Sequence, residues 1–80
     1  MKIPAIKKLV ETVDLDNLKK AESSLLEELP LEISVEGDDE GEKLTHVLAA
    51  IWIKEEMERA QSDFMSTLRM YTSRVRKSIS

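Results

Sequence analysis

Residues 44–53, LTHVLAAIWI, constrain the fold more than any other stretch, because eight of the ten are apolar and none is Gly or Pro. A helix that is apolar nearly all round must be covered on more than one side. At about 100° per residue, one face holds Leu44, Val47, Leu48 and Ile51. The opposite face holds Ala49, Ala50, Ile53, Met57 and Ala60. We expect the chain's own helices to cover the first face and a second copy to cover the second.

The size of the chain also favours a partner. Eighty residues predict one helical domain over residues 1–80. Small domains usually gain stability from disulfides, a metal or another subunit. The absence of Cys excludes disulfides, thiolate metal sites and Cys catalysis. A homodimer is therefore the predicted state.

Neither a membrane segment nor a leader is predicted. No apolar run approaches the ~20 residues that span a bilayer, and the first residues, MKIPAIKKLVE, lack the continuous apolar core of a signal peptide. These features predict a soluble, cytoplasmic protein.

Charge is unevenly distributed along the chain. Residues 22–42 contain nine acids and no base, whereas residues 69–77 contain four bases and no acid. The net charge of −4 disfavours nucleic acid, although a basic end could bind it locally.

Four helices are predicted from apolar periodicity and capping residues. The first covers about residues 4–12, and the second follows Asp14 as its N-cap and ends near residue 28. A hairpin or kink between them is favoured over one continuous helix, because Asp competes for backbone donors. The third covers about residues 42–61, and Ser62 is expected to cap the fourth.

Residues 31–36 show the alternation of a half-buried strand, with Leu31, Ile33 and Val35 separated by polar residues. A lone strand leaves its backbone groups unpaired, so the simplest neighbour is the same strand in a second copy. The alternative is an extended linker between helical pairs.

The strand and the second face of the third helix together form the predicted dimer interface. Its members are Leu31, Ile33, Val35, His46, Ala49, Ala50, Ile53 and Met57. If this assignment holds, Ile53→Asp should weaken association before it unfolds the protein, whereas Ile51→Asp should unfold it.

Metal and catalytic sites are poorly supported by the residue pattern. The acidic loop that starts at Glu36 resembles a calcium loop, but Val47 stands where the bidentate Glu is needed. His46 and Glu42 could share a side of the helix, yet a third metal ligand is missing. No Ser or Thr has a base to activate it, and the chain lacks a Gly-rich phosphate loop. We therefore predict a protein that is not an enzyme and has no cofactor.

The basic end of the fourth helix is the candidate nucleic-acid contact. Its members are Arg69, Arg74, Arg76 and Lys77. Such a helix could follow phosphates, but the acidic total and the lack of a recognition motif favour a solvated face.

Two stretches, LPLEISVEGDDEGEKLTHVLAAIWI at 29–53 and RVRKSIS at 74–80, carry a family resemblance. The chain resembles a family of very short uncharacterised bacterial proteins of Bacteroidetes type. This resemblance implies a bacterial, cytoplasmic protein and supplies no activity or functional residue. The predicted function is a small non-enzymatic interaction or adaptor module that acts as a homodimer. Nucleic-acid binding is the alternative, and a metal-dependent activity through His46 is third.

Overall fold

The computed structural model describes the backbone of residues 2–79 and the side chains of residues 2–76. It contains four helices, α1 (Ile3–Thr12), α2 (Leu15–Leu26), α3 (Glu40–Ala60) and α4 (Phe64–Ile79). The three other helices each pack against α3, which therefore lies at the centre of the fold. The predicted mainly helical class and the number of helices are confirmed.

The chain itself covers most of both apolar faces of α3, although Leu48 of the first face stays 41% exposed. Ala49, Ala50 and Ile53 are fully buried in the core, and Met57 packs half-buried against it. The expectation that this face needs a second copy is wrong, because three helices of one chain surround α3.

Residues 31–36 form no β-strand, and none is present anywhere in residues 2–79. The alternation nevertheless has the expected effect on burial, because Val35 is buried and Leu31 and Ile33 are half-buried against the core. The polar residues between them are exposed. The alternation therefore correctly predicted which side chains point inward. The backbone itself is an extended linker between helices, which was the alternative to a strand.

The junction between α1 and α2 is a break, as favoured from the sequence. Val13 and Asp14 have extended backbone angles, and Asp14 occupies the N-cap position of α2. Its carboxylate accepts a hydrogen bond from Asn17 Nδ2 at 2.6 Å and does not bond a backbone N–H. The second helix ends at Leu26, before Glu28, whose φ of 59° is left-handed.

The fourth helix is capped one residue later than predicted. Asp63, not Ser62, accepts the backbone N–H of Ser66 at 2.8 Å, and this bond lowers the pKa of Asp63. Ser62 Oγ instead lies 2.8 Å from Thr67 Oγ1. Asp is as good an N-cap as Ser, so local preference could not separate two neighbouring candidates.

Gly37 is required by close packing against the start of α3. A Cβ at this position would lie 2.7 Å from Lys43 Cγ and 2.9 Å from the backbone nitrogen of Lys43. We expect Gly37→Ala to lower the free energy of unfolding by about 1–3 kcal/mol, as overpacked sites do. Urea denaturation measures this change.

Gly41 offers the matched control, because a Cβ there would meet only Asp39 Oδ1 at 3.4 Å. Gly41→Ala lies within α3 and should be neutral or stabilising, since Ala favours a helix over Gly by about 1 kcal/mol. Equal losses in the two variants would contradict the packing role of Gly37.

Candidate functional site

His46 is fully buried, and both of its ring nitrogens have partners within the chain. Nδ1 lies 2.7 Å from the carbonyl oxygen of Glu36, and Nε2 accepts the backbone N–H of Lys2 at 2.9 Å. A carbonyl can only accept, so Nδ1 carries the proton and Nε2 is the acceptor. The imidazole therefore joins α3 to the start of α1 and to the segment that precedes α3. A metal could take the lone pair of Nε2 only by breaking the bond to Lys2.

Glu42 does not pair with His46 as a metal ligand. Its Oε1 accepts the backbone N–H of Asp38 at 3.0 Å and lies 3.7 Å from Lys2 Nζ. The same ammonium lies 3.3 Å from Asp38 Oδ1, and this hydrogen bond raises the pKa of Lys2. Asp39 caps α3 by accepting the N–H of Glu42 at 2.7 Å. Within the described residues, no three potential ligand side chains come together at one point.

Lys54 has a structural role that the sequence did not indicate. Its ammonium donates to the carbonyl oxygens of Val10 at 3.3 Å and Val13 at 2.5 Å. Carbonyls at the C-terminal end of a helix lack helical partners, and a cation there is favourable. The contact fixes the end of α1 against α3.

The two large aromatic side chains meet on the outer side of α3 and α4. The ring centroids of Trp52 and Tyr71 are 5.6 Å apart at 50°, and Arg74 Cζ lies 5.5 Å from the centroid of the Trp52 ring. Both aromatic residues are half-buried, and burial raises the pKa of Tyr71. The three side chains therefore form an ordered group that still reaches solvent.

Two exposed aliphatic residues extend this group by one helical turn. Leu48 precedes Trp52 on α3 and is 41% exposed, and Val75 follows Tyr71 on α4 and is 38% exposed. We call Leu48, Trp52, Tyr71, Arg74 and Val75 the α3–α4 surface. Trp, Tyr and Arg are the residues that contribute most often to binding at protein interfaces.

The α3–α4 surface was not predicted from the sequence, because Leu48 belongs to the face that the chain's own helices were expected to cover. A weak signal was available, because Thr45, Glu55 and Arg59 fall within about 80° of one another on the helix. Leu48 and Trp52 lie inside that polar sector. Other charged residues of α3 lie outside this sector, so the signal was too weak to identify the open side from the sequence.

The basic residues of α4 differ in their contacts with the rest of the chain. Arg74 lies over Trp52 and also lowers the pKa of Glu56, whose largest lowering comes from its hydrogen bond with Arg59. Arg69 and Arg76 are exposed. The side chain of Lys77 lies outside the described residues. The nucleic-acid contact predicted at Arg69, Arg74, Arg76 and Lys77 stays a prediction.

Comparisons with known proteins identify a family but no activity. A family model described as a family of unknown function (DUF6952) matches residues 1–80. No curated protein and no solved structure gives a significant match. Among the described residues, no helix combines the length and apolar character needed to cross a membrane. The Bacteroidetes origin stays a prediction.

Proposed function

The chain belongs to the family of unknown function (DUF6952), and we propose that it is a non-enzymatic protein-interaction module that acts as a homodimer. The proposed interface is the α3–α4 surface. It replaces the second face of α3, which the chain's own core already buries.

The exposure of Leu48 and Val75 beside a half-buried aromatic pair carries this proposal. Apolar side chains grouped on a surface gain free energy when a partner removes them from water. The Trp52 ring already contacts Tyr71 and Arg74. An ordered side chain loses little conformational entropy on binding, which favours association.

The proposed partner is a second copy of the chain, because a dimer contains two α3–α4 surfaces that can bind each other. A two-fold interface pairs identical patches, so each α3–α4 surface can cover the other.

The two other functions have weaker support. Nucleic-acid binding would have to rely on the few basic residues of α4 in a protein whose net charge is −4. A metal-dependent activity would require His46 to give up its bond with the Lys2 amide. We therefore keep the interaction module as the proposed function.

Light scattering on charge-introducing variants tests the proposed interface. Wild-type protein is expected to be a dimer at micromolar concentration, and Leu48→Glu should raise the dimer dissociation constant by at least about tenfold. Met65→Glu is the matched control, because Met65 is an exposed apolar residue of α4 outside the α3–α4 surface. Circular dichroism should show unchanged helix content in both variants. A monomeric wild type, or equal effects of the two variants, would refute the interface.

A further inference from the structure

Lys2 joins the start of α1 to the rest of the fold through both sides of its backbone. It is the N-cap residue of α1, and its carbonyl oxygen accepts the backbone N–H groups of Ala5 at 3.1 Å and Ile6 at 3.3 Å. Its own N–H donates to His46 Nε2 at 2.9 Å. An N-cap carbonyl accepts the first hydrogen bonds of its helix. The bond to His46 therefore holds the first turn of α1 against α3.

The bond between Lys2 and His46 exists only while the imidazole is neutral. Nδ1 already carries the proton that it donates to the Glu36 carbonyl oxygen at 2.7 Å. A second proton could bind only at Nε2, whose lone pair accepts the Lys2 N–H. An imidazolium is a donor at both nitrogens, so its Nε2–H would face the Lys2 N–H. Protonation of the ring and the bond to Lys2 exclude each other.

The segments that hold the ring also carry charged side chains. Their charged residues are Lys2 and Lys8 from α1, Glu36 and Asp38 from the segment before α3, and Glu42 and Lys43 from the turn of α3 before His46. Lys2 Nζ lies 3.3 Å from Asp38 Oδ1 and 3.7 Å from Glu42 Oε1. Lys8 Nζ lies 3.9 Å from Glu36 Oε1. Backbone groups of Lys2 and Glu36 occupy the two ring nitrogens, and among the described residues neither α2 nor α4 supplies the ring with a polar partner.

Release of Lys2 would free two carboxylates for a charged ring. Asp38 and Glu42 lose their ammonium partner when the start of α1 moves away. Glu42 precedes His46 by four residues on α3, a spacing at which helical side chains meet. A buried charge is tolerated when it is paired and hydrogen-bonded. The opened form therefore offers the imidazolium an ion pair in place of the bond to Lys2.

We propose that His46 is a pH-sensitive switch, in which protonation of Nε2 releases Lys2 and the first turn of α1 from α3. Histidine is the side chain whose ordinary titration falls between pH 5 and 8. The bonded form excludes the second proton, whereas the opened form accepts it. The bonded form is therefore fully favoured above about pH 6.5, and its ratio to the opened form falls about tenfold for each pH unit below that value.

Amide hydrogen exchange at pH 7.5 and pH 5.5 tests the switch in the wild-type protein. The protection factor, which corrects for the pH dependence of the chemical exchange step, should fall about tenfold at Lys2 between about pH 7.5 and about pH 5.5. The amides of Ala5 and Ile6 should lose protection in the same direction. Circular dichroism should show that most of the helix content is retained at the lower pH, because the opening is local.

His46→Gln is the matched control, because its side-chain oxygen can accept the Lys2 N–H but does not titrate. Its protection factor at Lys2 should change by less than about twofold over the same range. Asp38→Asn removes an exposed carboxylate that pairs with Lys2 and keeps the ring, so the fall should persist. Carboxylates ordinarily titrate near about pH 4, outside the range that is compared.

Three results would overturn the switch. The first is a protection factor at Lys2 that is the same at both pH values in the wild-type protein, a comparison that needs no variant to fold. The second is an equal fall in wild type and His46→Gln. The third is a general loss of helix content at the lower pH. No residue of the α3–α4 surface takes part, so the switch and the proposed dimer can fail separately.

Discussion

Ile53→Asp is expected to unfold the protein. Ile53 has 0% of its surface exposed and lies in the core around α3. A carboxylate placed there has no partner and loses its hydration, a change expected to cost more than about 4 kcal/mol. The whole domain is expected to have only about 4–12 kcal/mol of stability. Circular dichroism should therefore show a large loss of helix at room temperature.

The matched control is Leu48→Asp, which makes a similar change five residues earlier in the same helix. Leu48 is 41% exposed, so its carboxylate stays hydrated and the helix content should be retained. Ile51→Asp should behave like Ile53→Asp, because Ile51 is also buried. The contradicting outcome is an Ile53→Asp protein that stays folded and only loses its partner. That result would support the dimer interface predicted from the sequence and would contradict the burial of Ile53 within one chain.

His46→Leu is expected to lower the free energy of unfolding by about 2–4 kcal/mol. The substitution introduces an apolar side chain of similar size. It removes the acceptor for the Lys2 amide and the donor to the Glu36 carbonyl. Buried or part-buried polar groups without partners are destabilising. Urea denaturation gives the magnitude, and amide exchange at Lys2 reports the lost bond directly.

Two polar variants test the two hydrogen bonds of the His46 imidazole one at a time. His46→Gln can present an acceptor near the position of Nε2 and should retain slower exchange of the Lys2 amide. His46→Asn can present a donor near Nδ1 and should retain the contact with Glu36 but not the one with Lys2. Both should lose less stability than His46→Leu. If His46→Leu is as stable as wild type, the ring fills space and does not join the three segments.

The α3–α4 surface combines the Trp52–Tyr71 pair with two exposed aliphatic side chains, which is the composition expected of a protein-binding surface. The compartment and the biological role stay predictions.

The sequence by itself determined the helical elements and many of the inward side chains. The predicted start of the third helix differs from the observed one at Glu40 by two residues, and the predicted end of the first helix agrees. Periodicity and caps are local properties, so they need no knowledge of the fold. The same holds for the alternation at residues 31–36, which located Val35 in the core.

Tertiary structure alone decided which side of α3 stays open and what the polar groups bind. A helix with two apolar faces does not reveal whether its own chain or another covers them, because that depends on how the three other helices are placed. His46 meets Lys2 across 44 positions and Glu36 across 10, and Gly37 is required by its approach to Lys43. Residues 31–36 lacked a strand because strand bonds need a partner at the right distance, and the fold of one chain provides none. These outcomes depend on contacts between segments distant in sequence, whereas periodicity reports only on a residue's near neighbours.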